Sequence, residues 1–249
     1  MQTATERAAV CLLSPMRSGS TLLKALLAVA DDVSNLPEVD FQRYGAGRGA
    51  EVFSLCRERI VVLKRPCWFH EVRRYPRLGD FASGRHVVLV RDALETVQSL
   101  KSMMFGPGAK WLGPWCDRIL LERYWAVVTK RLAGLSHRQD NVCLVRYEDL
   151  VRAPAPETAR VFRHIGSERS EGADRYGAPE GYRWRWGSDD GGEMIRTLRV
   201  QPARKRRDDP ALRKRIERSA PVRECRRLLG YAACGETAEG AGARPSTAS

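Results

Sequence analysis

The sequence predicts an α/β fold, a single domain with a central, mostly parallel sheet flanked by helices. Two patterns carry that expectation. Apolar runs of strand length recur along the chain, and most lead into a helical period rather than a hairpin turn. The 249 residues are enough for one large domain with a substantial core. An apolar content of 43% is that of a globular protein, and no stretch approaches the ~18 uninterrupted apolar residues of a spanning helix.

The elements follow in order. Ala8-Ala9-Val10-Cys11-Leu12-Leu13 is the first expected strand, 8–13. A loop of small residues leads to a helix over 19–30, with Leu22, Leu23, Leu26, Leu27 and Ala30 on one face. Residues 31–58 show no period and are expected to be irregular. Strands are expected at 59–64 and 86–91, helices at 92–104 and 115–134, a strand at 141–147 and a helix at 155–165. Residues 166–192 are rich in Gly and charge and are expected to form a loop or cap. Helical patterning returns near 208–218 and 221–229. The expected domain is therefore 1–232, followed by a disordered Gly/Ala/Thr/Ser-rich tail at 233–249.

The most informative segment is the first loop, Ser14-Pro15-Met16-Arg17-Ser18-Gly19-Ser20-Thr21-Leu22-Leu23. Strand, tight loop and helix together aim backbone N–H groups and a helix N-terminus at one spot, which attracts an anion. Set against the P-loop pattern, Gly19 and Thr21 fall into place, but Ser20 stands where the Lys belongs and the cation has moved to Arg17. A P-loop NTPase needs that Lys on its phosphates, so triphosphate hydrolysis is not expected.

Two further blocks complete a pattern. His86-Val87-Val88-Leu89-Val90-Arg91-Asp92 is a buried-strand sequence ending in a charged pair, and Ser99 follows Arg91 by eight residues. Val142-Cys143-Leu144-Val145-Arg146-Tyr147-Glu148-Asp149-Leu150 runs from a strand into Tyr-Glu-Asp-Leu. In this order and spacing the three blocks resemble the sulfotransferases that use 3′-phosphoadenosine 5′-phosphosulfate (PAPS). The resemblance covers residues 8 to about 165. It implies a P-loop-like fold with variable acceptor-binding loops, PAPS as donor, PAP as product and no metal. It implies donor-binding roles for Arg17, Ser18, Gly19, Ser20, Thr21 and Leu22 at the 5′-phosphosulfate. Arg91 and Ser99 correspond to the pair at the 3′-phosphate, and Tyr147 to the adenine side.

Sulfuryl transfer also needs a group to take the acceptor's proton. The strand end Val62-Leu63-Lys64-Arg65-Pro66 lacks the His that the cytosolic branch places there, so the resemblance is closer to the carbohydrate, tyrosyl-protein and bacterial branch, whose base is a Glu. Glu38, 21 residues after Arg17, is the expected base, and His70 the second candidate. Lys64 is placed to stabilise the bridging oxygen or the sulfonate. The expected acceptor is a small molecule with a hydroxyl, a secondary metabolite or a glycosyl group. Trp68, Phe69, Met103, Met104, Phe105 and Trp111 are candidates for an apolar acceptor cavity. The expected location is cytoplasmic, without a membrane partner.

Charge and cysteine content narrow the alternatives. The net charge is +13, of which residues 183–249 supply +7. That excess suits a phosphate-bearing ligand, but Arg makes up 36 of the 43 cations, a bias that base composition alone produces. A nucleic-acid-binding protein is a weaker alternative, since no zinc-finger spacing or RNP motif is present. A P-loop kinase is the other alternative. Seven cysteines without a C-x-x-C suggest neither a zinc site nor a disulfide framework.

Overall fold

The computed structural model describes residues 6–106, 113–178, 192–202 and 208–231. Trp111, the expected tail and residues 179–191 of the expected cap lie outside them. The sheet has four parallel strands, β1 (Ala8–Pro15), β2 (Ile60–Cys67), β3 (His86–Val90) and β4 (Val142–Arg146), in the order β2-β1-β3-β4. The helices are α1 (Ser20–Leu27), α2 (Ala93–Phe105), α3 (Pro114–Arg118), α4 (Ala126–Arg138), α5 (Tyr147–Arg152), α6 (Pro154–Ile165), α7 (Pro210–Arg218) and α8 (Ala220–Leu228).

Strand alternation divides the core. Val10 and Leu12 of β1 face a layer with Leu23, Leu26 and Phe162, from α1 and α6. Cys11 and Leu13 face the opposite layer with Val97, Leu132 and Ile216, from α2, α4 and α7. Both faces are covered, as a parallel sheet requires.

The strand order locates the site. The chain moves outward from β1 to β2, then crosses back past β1 to place β3 on its other side. The direction of winding reverses between β1 and β3, and ligands of open α/β sheets bind at that crevice, beyond the strand C-termini. Arg17 follows β1, Arg91 follows β3, Tyr147 follows β4, and Lys64 lies near the end of β2.

The structure departs from the sequence expectations at the ends of elements. The first helix is shorter than 19–30 because Gly19, at φ 91°, is its N-cap and the chain leaves the helix at Ala28. Tyr147 begins the six-residue α5 rather than ending a strand, and Ala153-Pro154 separates α5 from α6. Between α3 and α4, Ile119–Trp125 forms wider, π-helical turns.

Candidate active site

A cavity of about 440 Å³ opens over the β1–β3 crevice. Of the residues expected from sequence, Arg17, Gly19, Ser20, Thr21, Leu22, Glu38, Lys64, Arg91, Ser99 and Tyr147 line it. The loop after β1 turns sharply: Arg17 takes a left-handed backbone with φ 62°, and Gly19 does so with φ 91°. A left-handed non-glycine residue costs roughly 1–2 kcal/mol, so the fold holds Arg17 there against its preference. The first-turn amides of α1 follow directly and have no intrahelical partners.

Two buried tyrosines fix this loop. The Tyr75 hydroxyl accepts from Ser14 N (3.0 Å) and donates to Arg65 O (2.7 Å). The Tyr124 hydroxyl accepts from Met16 N (2.7 Å) and donates to Cys67 O (2.6 Å). Each hydroxyl bridges the tips of β1 and β2. Burial pushes both phenols well above the usual tyrosine range, so they remain neutral donors. The π-helical turns that aim Tyr124 also bring Trp125 Nε1 to Arg91 O at 2.9 Å.

The loop cation and the later guanidinium share one cavity. Arg17 Nε donates to Ser99 Oγ at 3.1 Å, and Arg91 approaches the Arg17 carbonyl at 3.4 Å. Arg91 also pairs with Glu95 at 3.1 Å and lies 4.3 Å above the Tyr147 ring, a cation–π geometry. The same ring crowds Gly19, where a Cβ would fall 2.4 Å from Tyr147 Cδ2. Three sequence blocks thus meet around one ring.

Lys64 is almost fully buried and joins three elements. Its Nζ donates to Thr21 Oγ1 at 3.0 Å and pairs with Glu38 at 3.2 Å. Glu38 is brought there by the irregular segment 34–38, whose Leu36 carbonyl accepts from the buried Lys24 Nζ at 2.5 Å. His70 does not join this group: its side chain is 75% exposed, and its ring lies 3.9 Å from Glu71. Ser18 is fully buried behind the loop and does not line the cavity, and its Oγ has no hydrogen-bond partner among the described residues.

The cavity also contains residues that the sequence did not reveal. Tyr176, Ile195, Arg199 and Gln201 form one wall. They arrive through a short antiparallel bridge between Arg175 and Arg199, and the Tyr176 hydroxyl donates to Ile195 O at 3.0 Å. The basic segments Trp184-Arg185-Trp186-Gly187 and Ala203–Arg207 lie outside the described residues. Among the described residues, four cations, Arg17, Lys64, Arg91 and Arg199, thus face the cavity against the single carboxylate of Glu38.

The tip of β3 has its own mount. Glu148 accepts from Asp92 N (2.9 Å) and from the Tyr231 hydroxyl (2.8 Å), and Arg226 of α8 pairs with Asp92 at 2.9 Å. Burial pushes the Glu148 carboxyl above its ordinary range. Among the described residues no group of three or more His, Cys, Asp or Glu is placed to hold a metal ion, and no helix is long and apolar enough to cross a membrane.

The crevice combines this loop, an excess of cations and an opposed carboxylate, the features of a site for an anionic ligand. Residues 58–171 match the model of the sulfotransferase family. No curated protein matches the sequence. Similar solved structures include the sulfotransferase domain from the curacin biosynthetic pathway, at 16% identity over 92% of this chain and 99% of that one, with a TM-score of 0.60. The sulfotransferase domain of the Synechococcus olefin synthase aligns at 13% identity over 93% and 98%, with a TM-score of 0.58. A sulfotransferase from Alicyclobacillus acidocaldarius aligns at 12% identity over 91% and 97%, with a TM-score of 0.55. At these identities the likeness is one of fold.

Proposed function

We propose that this chain transfers the sulfuryl group of PAPS to a hydroxyl of a small-molecule acceptor. The observation that carries the reading is that Arg17 and Arg91, from two separate motifs, face one cavity at the reversal point of the sheet. The residues present fit a doubly phosphorylated nucleotide: four cations, free first-turn amides and a buried Arg91 Nε with no hydrogen-bond partner among the described residues.

PAPS supplies an activated sulfuryl group on a phosphate leaving group. Arg17 and the amides of Ser18 to Leu22 take the 5′ end and stabilise the charge that grows on the phosphate oxygen as the S–O bond breaks. Arg91 and Ser99 hold the 3′-phosphate, and Tyr147 borders the adenine. Glu38 accepts the acceptor's proton as the hydroxyl oxygen forms its bond to sulfur. Lys64, between Glu38 and Thr21, neutralises charge at the point of transfer. His70, exposed and outside the cavity lining, has no part in this scheme.

Thermal unfolding with PAP tests the donor site. PAP at 100 times its dissociation constant stabilises the fold by about 2.7 kcal/mol. Glu38→Gln keeps that stabilisation while turnover falls ~100-fold. No shift at millimolar PAP refutes the donor assignment; unchanged turnover removes Glu38 as base.

A further inference from the structure

The cavity changes character along its length. Arg91, Ser99 and Met103 mark successive positions along α2 and the residue preceding its cap, so Met103 lies ~18 Å from Arg91 along the helix direction. Ser99 receives the Arg17 hydrogen bond, and Met103 is one helical turn farther from the cationic end. The β2 side repeats the change. Lys64, Pro66 and Trp68 all line the cavity at alternate positions, running from the buried ammonium to an indole that is 42% exposed. Phe69 packs against Tyr124 with its ring tilted, centroids 4.7 Å apart, and Met104 and Phe105 stand exposed beyond Met103. The Glu38–Lys64 pair therefore borders an apolar mouth opposite the cationic end.

A second, more polar hollow also touches Glu38, lined by Asp40, Arg43, Tyr44 and Arg65. Its charges are spent on each other: Asp40 pairs with Arg65 at 2.6 Å and with Arg43 at 3.1 Å, and Arg65 also pairs with Glu71. A sugar entering there would have to break these pairs. A sugar entering past Trp68 and Met103 would bury hydroxyls without partners, which is costly.

Resting on the donor assignment above, we infer that the acceptor hydroxyl is carried on an apolar scaffold, an aryl or alkyl alcohol, that enters between Trp68 and Met103. The scaffold buries its carbon skeleton against these side chains and Pro66, with its hydroxyl at Glu38. No reaction step changes: the acceptor oxygen bonds to sulfur, its proton passes to Glu38 and PAP leaves.

The test uses the full chain, labelled PAPS, 1-alkanols from butanol to decanol, 2-naphthol, and glucose and octyl-free methyl glucoside as sugar probes. The expected result is a kcat/KM that rises with chain length by up to about fourfold per methylene. Trp68→Ala and Met103→Gln lower kcat/KM for 1-octanol tenfold or more, chiefly through KM, and leave the PAP dissociation constant within twofold. Arg43→Ala leaves the value for 1-octanol unchanged. With PAP binding intact, a flat dependence on chain length, no turnover of any alcohol, or a preference for sugars that Arg43→Ala abolishes each overturns the acceptor assignment alone. Failure of PAP to shift the unfolding temperature overturns the donor site, and this inference with it.

Discussion

The contact between Gly19 and Tyr147 offers a sharp test of how the site is assembled. Gly19→Ala carries two separable costs. The first is conformational: φ is 91° and ψ 18°, and moving a residue with a Cβ into the left-handed region costs roughly 1–2 kcal/mol. The second is steric: the new methyl would fall 2.4 and 2.6 Å from two Tyr147 ring carbons, so the ring must move. That ring lies under the Arg91 guanidinium at 4.3 Å, and losing a partly desolvated cation–π contact adds ~0.5–2 kcal/mol. The single variant should therefore lose about 2–4 kcal/mol of stability and bind PAP more weakly. In a Tyr147→Ala background the steric part disappears and only about 1–2 kcal/mol remains. Urea unfolding of the four proteins in the cycle measures the difference. Strict additivity would show that the ring and the glycine do not meet, and the geometry proposed for the donor's adenine side would fail.

The remaining predictions concern other parts of the site. Arg91→Ala should raise the PAP dissociation constant 10- to 100-fold by calorimetry, equivalent to ~1.5–3 kcal/mol for hydrogen bonds to a charged group; a change under twofold argues against its phosphate role. Tyr124→Phe leaves Met16 N–H and Cys67 O without their shared hydroxyl and should cost ~1–3 kcal/mol in chemical denaturation, whereas wild-type stability would mean that the bridge between the strand tips is dispensable. Burial holds His86 and His164 below the ordinary histidine pKa, so the unfolded chain takes up protons before the folded one does. Their contribution is present above about pH 6.5 and is lost as pH falls below it. Glu148, raised by burial, acts in the opposite sense: its stabilising contribution is lost as pH rises from its unfolded value through its folded value. Unfolding midpoints from pH 7 to pH 5.5 should therefore fall less steeply in a His86→Gln, His164→Gln variant than in the wild type, and an identical slope would contradict the assignment.

Much of this site was legible because its parts are local. The loop at 14–23, the strand ending in Arg91 and the block at Tyr147 each carry their pattern within ten or so residues, and parallel strands bring their C-terminal ends to one edge. Glu38 and Lys64 were legible by analogy with the family, and the structure places them 3.2 Å apart. What was hidden depends on distant partners. Arg199 reaches the cavity only because its backbone pairs with Arg175, a bridge with no apolar period to announce it. Tyr75 and Tyr124 look like ordinary core aromatics in sequence, and their hydroxyls matter only once the β1 and β2 tips lie beside them. His70 follows an aromatic pair, and the short turn at Phe69–Glu71 directs it to solvent instead of the cavity.

The mount beneath β3 changes what the C-terminal helices are for. Arg226 holds Asp92, and Tyr231 holds the carboxylate that receives the Asp92 amide, so the residue next to Arg91 is moored from the far end of the described chain. The last described helix is thus a foundation for the tip of β3 and the Arg91 guanidinium beside it rather than trim on the outside. Shortening the protein before Arg226 would leave the early motifs intact in sequence while unseating Arg91 from the cavity it shares with Arg17.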